Sequence, residues 1–186
     1  MTVFRRIWGR LLRWHERSVG QIALYGATGL SWGKNVRAKY GLRIRAVDGG
    51  SIEIGSNTSL DRWVDLFAHK GHLRLGANCH VGKGCTIVAR EMITIGDGCQ
   101  IAENVTIRDQ DHRIQACKSI MESGYVTSPI TIEDHVWIGA GAVITRGVSI
   151  GERSIIGAGA VVTRDIPPHA RVGGIPARPL PHRNKE

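Results

Sequence analysis

An all-β solenoid coiled on three sides is the fold class the sequence predicts, and three observations predict it. Aliphatic residues recur every six positions along most of the chain, glycine is abundant at 24 residues, and aromatic residues make up only 5%. A helical bundle would instead repeat near 3.6 residues and use far less glycine. With 186 residues the chain has room for one domain with a core of its own and is short for two.

The aliphatic marker falls at Ile54, Leu60 and Leu66, then Leu75, Val81 and Ile87, then Ile95, Ile101 and Ile107. After an interruption it resumes at Ile132, Ile138, Ile144, Ile150, Ile156 and Val162. Extending the phase backwards adds Trp32, Ala38 and Ile44 as a weaker first triplet. Six is an even number, so every marker points to the same side of an extended backbone. Four residues further on comes a second inward position, filled by small or β-branched residues such as Thr58, Val64, Val105, Ala142 and Ser154. The residue after the marker is usually small or polar, as at Gly55, Gly76, Gly82 and Gly139. Three such hexads close one turn of about eighteen residues, and stacked markers build a core that no single repeat could bury. The triplets predict about six coils, with one corner of each loosened by extra residues at 44 to 54, 66 to 75 and 87 to 95.

The repeat also assigns most of the four cysteines. Cys79, Cys85 and Cys99 occupy the small inward slot and read as buried apolar fillers. Cys117 lies in the interruption without a CxxC partner, so covalent thiol catalysis is not expected.

The interruption, "IRDQDHRIQACKSIMESGYVTSPI" from Ile107 to Ile130, is where chemistry is expected. It places Asp109 and Asp111 just before His112 in a loop over residues 108–130. An imidazole, with an ordinary pKa near 6.5, suits removal of a proton from a hydroxyl that attacks an acyl carbon. A carboxylate nearby would hold the ring's tautomer. Asp109, three residues back, can fold toward the ring in a turn; Asp111, adjacent in extended backbone, points the other way and is the reserve. Of the other seven histidines, His80 and His135 fall at outward hexad positions, His69 and His72 at a corner and His182 in the tail, and no three have the spacing of a zinc site, so no metal is expected.

A formal charge of +9 points to an anionic partner. The chain has no helix-turn-helix or RNA-recognition signature, so that partner is not expected to be nucleic acid. No run of 18 apolar residues spans a bilayer, and the N-terminus lacks the apolar core and cleavage site of a secretory signal, which makes the cytoplasm the expected compartment. Residues 1–19 lie outside the repeat. Phe4, Ile7, Trp8, Leu11 and Leu12 form an apolar helical stripe, with Arg5, Arg6, Arg10, Arg13 and Arg17 on the other sides. Such a helix either caps the open first coil or lies on anionic lipid through residues 1–17, at the inner face of the cytoplasmic membrane.

The hexads, the single interrupting loop with its histidine and the ending "PITIEDHVWIGAGAVITRGVSIGERSIIGAGAVVTRDIPPHARVGGIPARPL" resemble the hexapeptide-repeat acyltransferases with a left-handed parallel β-helix. The likeness covers roughly residues 30 to 180 and is most specific to the galactoside and maltose O-acetyltransferases. It implies a left-handed β-helix domain over 20–166, an extended tail over 167–186 that contributes to coenzyme A binding, and a homotrimer holding acetyl-CoA between neighbouring copies. By position, Ala140 and Ala158 would meet the pantetheine arm through backbone groups, and Trp137 would wall the thioester end. Thr163, Arg164 (where lysine is usual) and Arg178 would sit by the nucleotide and its phosphates, and His112 would be the general base.

Upstream the chain departs from those enzymes. Their acceptor-binding asparagine aligns with Gly82, an acceptor-side aspartate aligns near Arg90, and "DQDH" replaces glycine-histidine-proline. The "DQDH" loop instead looks like the branch that O-acetylates bacterial surface polysaccharides, lipopolysaccharide among them, or their lipid- or nucleotide-linked precursors. The expected function is therefore transfer of acetyl from acetyl-CoA to a sugar hydroxyl. The alternatives are N-acetylation of a nucleotide-linked amino sugar and a non-catalytic trimeric scaffold.

Overall fold

A computed structural model of the chain describes residues 23–25 and 29–181. The expected N-terminal helix over residues 1–19 and His182 lie outside the described residues. Among those described, short strands stack in parallel ladders on three faces of a prism. Counted from Leu30 onward, the first face has six strands, the second eight and the third seven, the last including Ala23–Tyr25. This is a left-handed parallel β-helix of about six turns, a hand that β-crossover-β units rarely take. No described helix is long and apolar enough to cross a membrane.

The six-residue markers form the three internal columns. On the first face Ile54, Leu75, Ile95, Ile132 and Ile150 pair in succession. On the second, Leu60, Val81, Ile101, Ile138 and Ile156 do so. The third column is Leu66, Ile87, Ile107, Ile144 and Val162. Each of these side chains is at most 3% exposed, so each contributes about 1.5–3 kcal/mol of apolar burial. Cys79, Cys85 and Cys99 are buried among them as free thiols, and burial pushes the Cys85 thiol up to about 11.

The weak first triplet keeps the register: Trp32 pairs with Ile54, Ala38 with Leu60 and Ile44 with Leu66. Trp32 is nevertheless 36% exposed, because Leu30–Trp32 is the outermost described strand of its face.

The loosened corner carries a further inward column that the hexads do not reveal. Strands Arg43–Val47, Asp65–His69 and Thr86–Ala89 run past their markers and stack Ala46, Ala68 and Ala89. On the far side of the same corner Ile52, Leu73, Ile93 and Ile130 stack in turn. The parallel ladder also continues beyond residue 166, the expected end of the domain. Ile166 bridges to Ile150 and Val172 pairs with Ile156 before Arg178–Pro179 turns back antiparallel. The marker spacing explains this, since Ile166 and Val172 are themselves one hexad apart.

Coils approach too closely for a side chain at several of the positions after the marker. A Cβ on Gly82 would stand 2.6 Å from the Ala102 carbonyl carbon and 2.6 Å from the Glu103 nitrogen. Gly82→Ala is therefore expected to lower unfolding free energy by about 1–3 kcal/mol, the usual cost of overpacking. Urea denaturation checks this, and an unchanged midpoint would mean that the next coil yields without cost.

Candidate active site

The fourth coil breaks at its loosened corner. After Thr106–Arg108 the chain rises into an antiparallel hairpin, Gln110–His112 against Tyr125–Thr127, and rejoins the first face at Ile130–Ile132. The hairpin is stitched to the prism at its base: the Ser128 N–H donates to the Asp109 carbonyl (2.9 Å) and the Gly147 N–H to the Ser128 carbonyl (3.0 Å).

Asp109 does not turn toward His112. Its side chain takes the inward slot next to the alanine column and is fully buried. Its carboxylate accepts the Arg90 N–H at 2.8 and 3.1 Å and the Glu91 N–H at 2.8 Å. Burial pushes the carboxyl above the ordinary carboxylate range, while the backbone bonds at Arg90, Glu91 and Met92 favour the ionised form and limit the rise. Asp111 points away from the ring, as its position next to His112 implies, and accepts from Arg146 Nε at 2.7 Å, tying the hairpin to the corner of the next coil.

His112 stands exposed on the hairpin. It pairs across the strands with Tyr125, the rings 4.5 Å apart and tilted by 37°. Arg90 lies against the same tyrosine, its guanidinium carbon 3.7 Å from the ring centroid. Neither Tyr125 nor Arg90 emerges from the sequence as a partner of His112. A twelve-residue turn, 113 to 124, separates the two hairpin strands, and no hexad phase predicts their register.

The other residues assigned by resemblance fall on two separate corners. Trp137 is 54% exposed on the outer side of the second face. Ala140 and Ala158 lie at the corner that follows it, one coil apart, and the Gly159 N–H donates to the Ala140 carbonyl at 2.8 Å. At Gly141 and Gly159 nothing lies within 4 Å of where a Cβ would stand, so this corner presents backbone to open space. Arg178 is exposed on the antiparallel strand beside it. Thr163 and Arg164, also exposed, follow Val161–Val162 at the other end of the third face, on the corner that carries the hairpin. The first corner's bare backbone leaves room for a slim extended group, and Arg178 sets a guanidinium beside it. A single copy does not bring both corners together. An open depression of about 360 Å³, lined in part by Trp32, Glu53, Arg74 and Asp97, lies at the corner between the first and second faces, away from all of these residues.

The sequence matches the model of the hexapeptide repeat of succinyl-transferase over residues 72–108 and 129–164, and the gap between the two stretches is the hairpin. The chain thus carries that hexapeptide repeat, folded as a β-helix. It is similar to the galactoside O-acetyltransferase of Escherichia coli (strain K12). The two are 37% identical over 130 residues, which cover 68% of this chain and 63% of that relative, so the chain spans less than two thirds of the relative's length. A galactoside acetyltransferase structure in complex with coenzyme A is 32% identical with a TM-score of 0.52, over 88% of this chain and 66% of the other. The maltose O-acetyltransferase from Clostridium difficile 630 is 29% identical with a TM-score of 0.51, over 90% and 69% respectively.

Replacing Asp109 by alanine would strand buried backbone N–H groups, each costing about 1–3 kcal/mol. The pH dependence has a definite sign. Because the folded-state pKa lies above the unfolded one, the linked stability is fully present below the unfolded carboxyl's pKa and is lost as pH rises through the folded value. The stability of the wild type relative to Asp109→Asn should thus fall as pH is raised from about 4 toward neutrality. Denaturant unfolding of both proteins over that range checks it; a difference that grows with pH would contradict it.

Proposed function

We propose that this protein is an O-acetyltransferase that moves acetyl from acetyl-CoA to a sugar hydroxyl of a bacterial surface polysaccharide or its precursor, with His112 as general base. The observation that carries the reading is the one histidine lifted on a hairpin out of the regular prism, in a chain similar to galactoside and maltose O-acetyltransferases. Among the relatives, the galactoside acetyltransferase complex with coenzyme A supports the choice of donor.

Acetyl-CoA supplies a thioester, whose acyl carbon accepts the sugar oxygen. His112 takes the hydroxyl proton as the oxygen–carbon bond forms and returns it to sulfur as the carbon–sulfur bond breaks, so the protein ends the cycle unchanged. In this scheme transfer is direct: Cys79, Cys85 and Cys99 are buried, and Cys117, exposed in the hairpin loop, takes no part in it. Ala140 and Ala158 would offer backbone groups to the pantetheine arm, with Trp137 beside the thioester. Thr163, Arg164 and Arg178 would hold the nucleotide and its phosphates. Asp109 and Asp111 serve this site by holding the hairpin in place, one at its base and one to the next coil.

The working form is a homotrimer. Its support is the division of the donor-binding residues between two corners, which neighbouring copies would bring face to face, and the apolar tip of the hairpin loop. Ile114, Ile120 and Met121 are 89%, 57% and 84% exposed there and would be covered by a second copy. The acceptor would be met in the cytoplasm or at the inner face of the cytoplasmic membrane.

His112→Ala should lower turnover at least ~100-fold while calorimetry still registers coenzyme A and the trimer mass is kept. Full activity in that variant would remove the histidine from its role. A panel of hydroxyl-bearing and amine-bearing sugars separates O- from N-acetylation. Ile114→Asp combined with Met121→Asp should shift the mass by light scattering toward the monomer and abolish turnover. A trimer that persists with both charges in place would remove the loop tip from the interface.

A further inference from the structure

The corner from which the hairpin rises carries a polar ladder that the reaction scheme above does not use. His69 and Arg90 follow the paired Ala68 and Ala89 in successive coils, 21 residues apart, and Asp48 comes one residue after Val47, the strand partner of His69. His69 Nε2 lies 2.7 Å from Asp48 Oδ2, and Arg90 Nη1 lies 3.0 Å from His69 Nδ1. An arginine can only donate, so Nδ1 of His69 must accept and its proton must sit on Nε2, from which it is donated to Asp48. The bonds therefore assign His69 one tautomer, and they hold one edge of the Arg90 guanidinium. The backbone of Arg90 is held as well, since its N–H donates to the buried carboxylate of Asp109.

An arginine held at its backbone and at one edge of its guanidinium offers a fixed plate, and Tyr125 rests on it at 3.7 Å. Tyr125 in turn is the cross-strand partner of His112, with the rings in contact at 4.5 Å. Cross-strand pairs and guanidinium–aromatic stacking are both attractive contacts with defined geometry. The hairpin's own backbone pairing covers only three residues on each strand, which is too short to be rigid by itself.

We propose that Arg90 is a positioning residue for His112. It clamps Tyr125 against the wall of the prism, with Asp48 and His69 as its buttress and Asp109 as its backbone anchor. The aspartate nearest the imidazole in the inward column thus acts on it through Arg90 and Tyr125, at a distance, and not by a direct hydrogen bond. The proposal rests on the reading of His112 as the base, and it assigns residues that this reading leaves without a task.

The test uses the full-length protein and the variants Arg90→Met, Tyr125→Leu, Tyr125→Phe and the Arg90→Met/Tyr125→Leu double variant, each checked for unchanged mass and thermal midpoint. The first readout is hydrogen exchange of the 110–112 and 125–127 amides, which needs no acceptor. It should speed up in Arg90→Met and in Tyr125→Leu while exchange in the prism stays as in the wild type. The second is acetyl transfer to whichever panel sugar is accepted. Turnover should fall about tenfold to a hundredfold in either single variant, the cost of a misplaced group, with the KM for acetyl-CoA within twofold. The double variant should be no worse than the singles, and Tyr125→Phe, which keeps the stacking ring, should recover most of what Tyr125→Leu loses. Unchanged exchange in Arg90→Met, or turnover losses that multiply in the double variant, would overturn the clamp. If exchange rises as described but His112→Ala keeps full turnover, the clamp stands and the assignment of the base is what fails.

Discussion

Each coil of this protein is bound to the next by parallel backbone hydrogen bonds, and everything else follows from the narrow spacing they impose. Neighbouring strands in such a ladder lie about 4.8 Å apart. At that distance, side chains in equivalent places of successive coils must stack on their own kind. Aliphatic columns fill the interior, and asparagines ladder at one corner, where the Asn35 amide donates to Asn57 at 3.2 Å and the Asn57 amide to Asn78 at 3.3 Å. Those asparagines sit in left-handed backbone, with φ of 56°, 60° and 55°, which their short polar side chains tolerate.

The same spacing makes an interruption costly, because a coil that departs from the ladder leaves its neighbour's N–H groups without acceptors. At the loosened corner of the other coils, those acceptors are carbonyls one coil on: the Ser51 N–H bonds to the Gly71 carbonyl and the His72 N–H to the Glu91 carbonyl, both at 3.0 Å. Where the hairpin leaves, the Asp109 carboxylate accepts the N–H groups of Arg90 and Glu91, the two residues before Met92, which is the strand partner of His72. A buried carboxylate receiving several backbone N–H groups is thus the device that lets a regular prism open and present a histidine. It also explains why the aspartate faces inward while the imidazole faces out. The two residues solve different problems of the same opening.

The rigidity of the prism extends to its outer surface. His69 and Arg90 are aligned because the ladder aligns their backbones, Asp48 reaches His69 from the turn just after Val47, and Arg90 reaches Tyr125 because the hairpin leaves from the next place in that row. The enzyme proposed here therefore needs no dedicated scaffold around its base; the repeat supplies one. Among the described residues, the repeat does not bring the proposed donor residues into one cleft, since Ala140 and Ala158 lie on one corner and Thr163 and Arg164 on another.

The sequence by itself determined the columns. A period of six on extended backbone leaves one inward choice, so Ile54, Leu75 and Ile95, and the small fillers Cys79, Cys85 and Ser154, could be placed from spacing alone. Even Trp32 was legible as a marker, although it proved 36% exposed in the outermost described strand of its face. It also marked the loop, because an interrupted period is as visible as a kept one. The extra alanine column at the loosened corner was not legible, since residues 44 to 54 and their counterparts depart from the hexad and spacing no longer fixes which side they face. Only the tertiary structure decided how the loop folds and what Asp109 binds. Its partners, the Arg90 and Glu91 N–H groups, are 19 and 18 residues earlier in the chain. Such a contact exists because two coils are stacked, and local backbone geometry around His112 carries no trace of it.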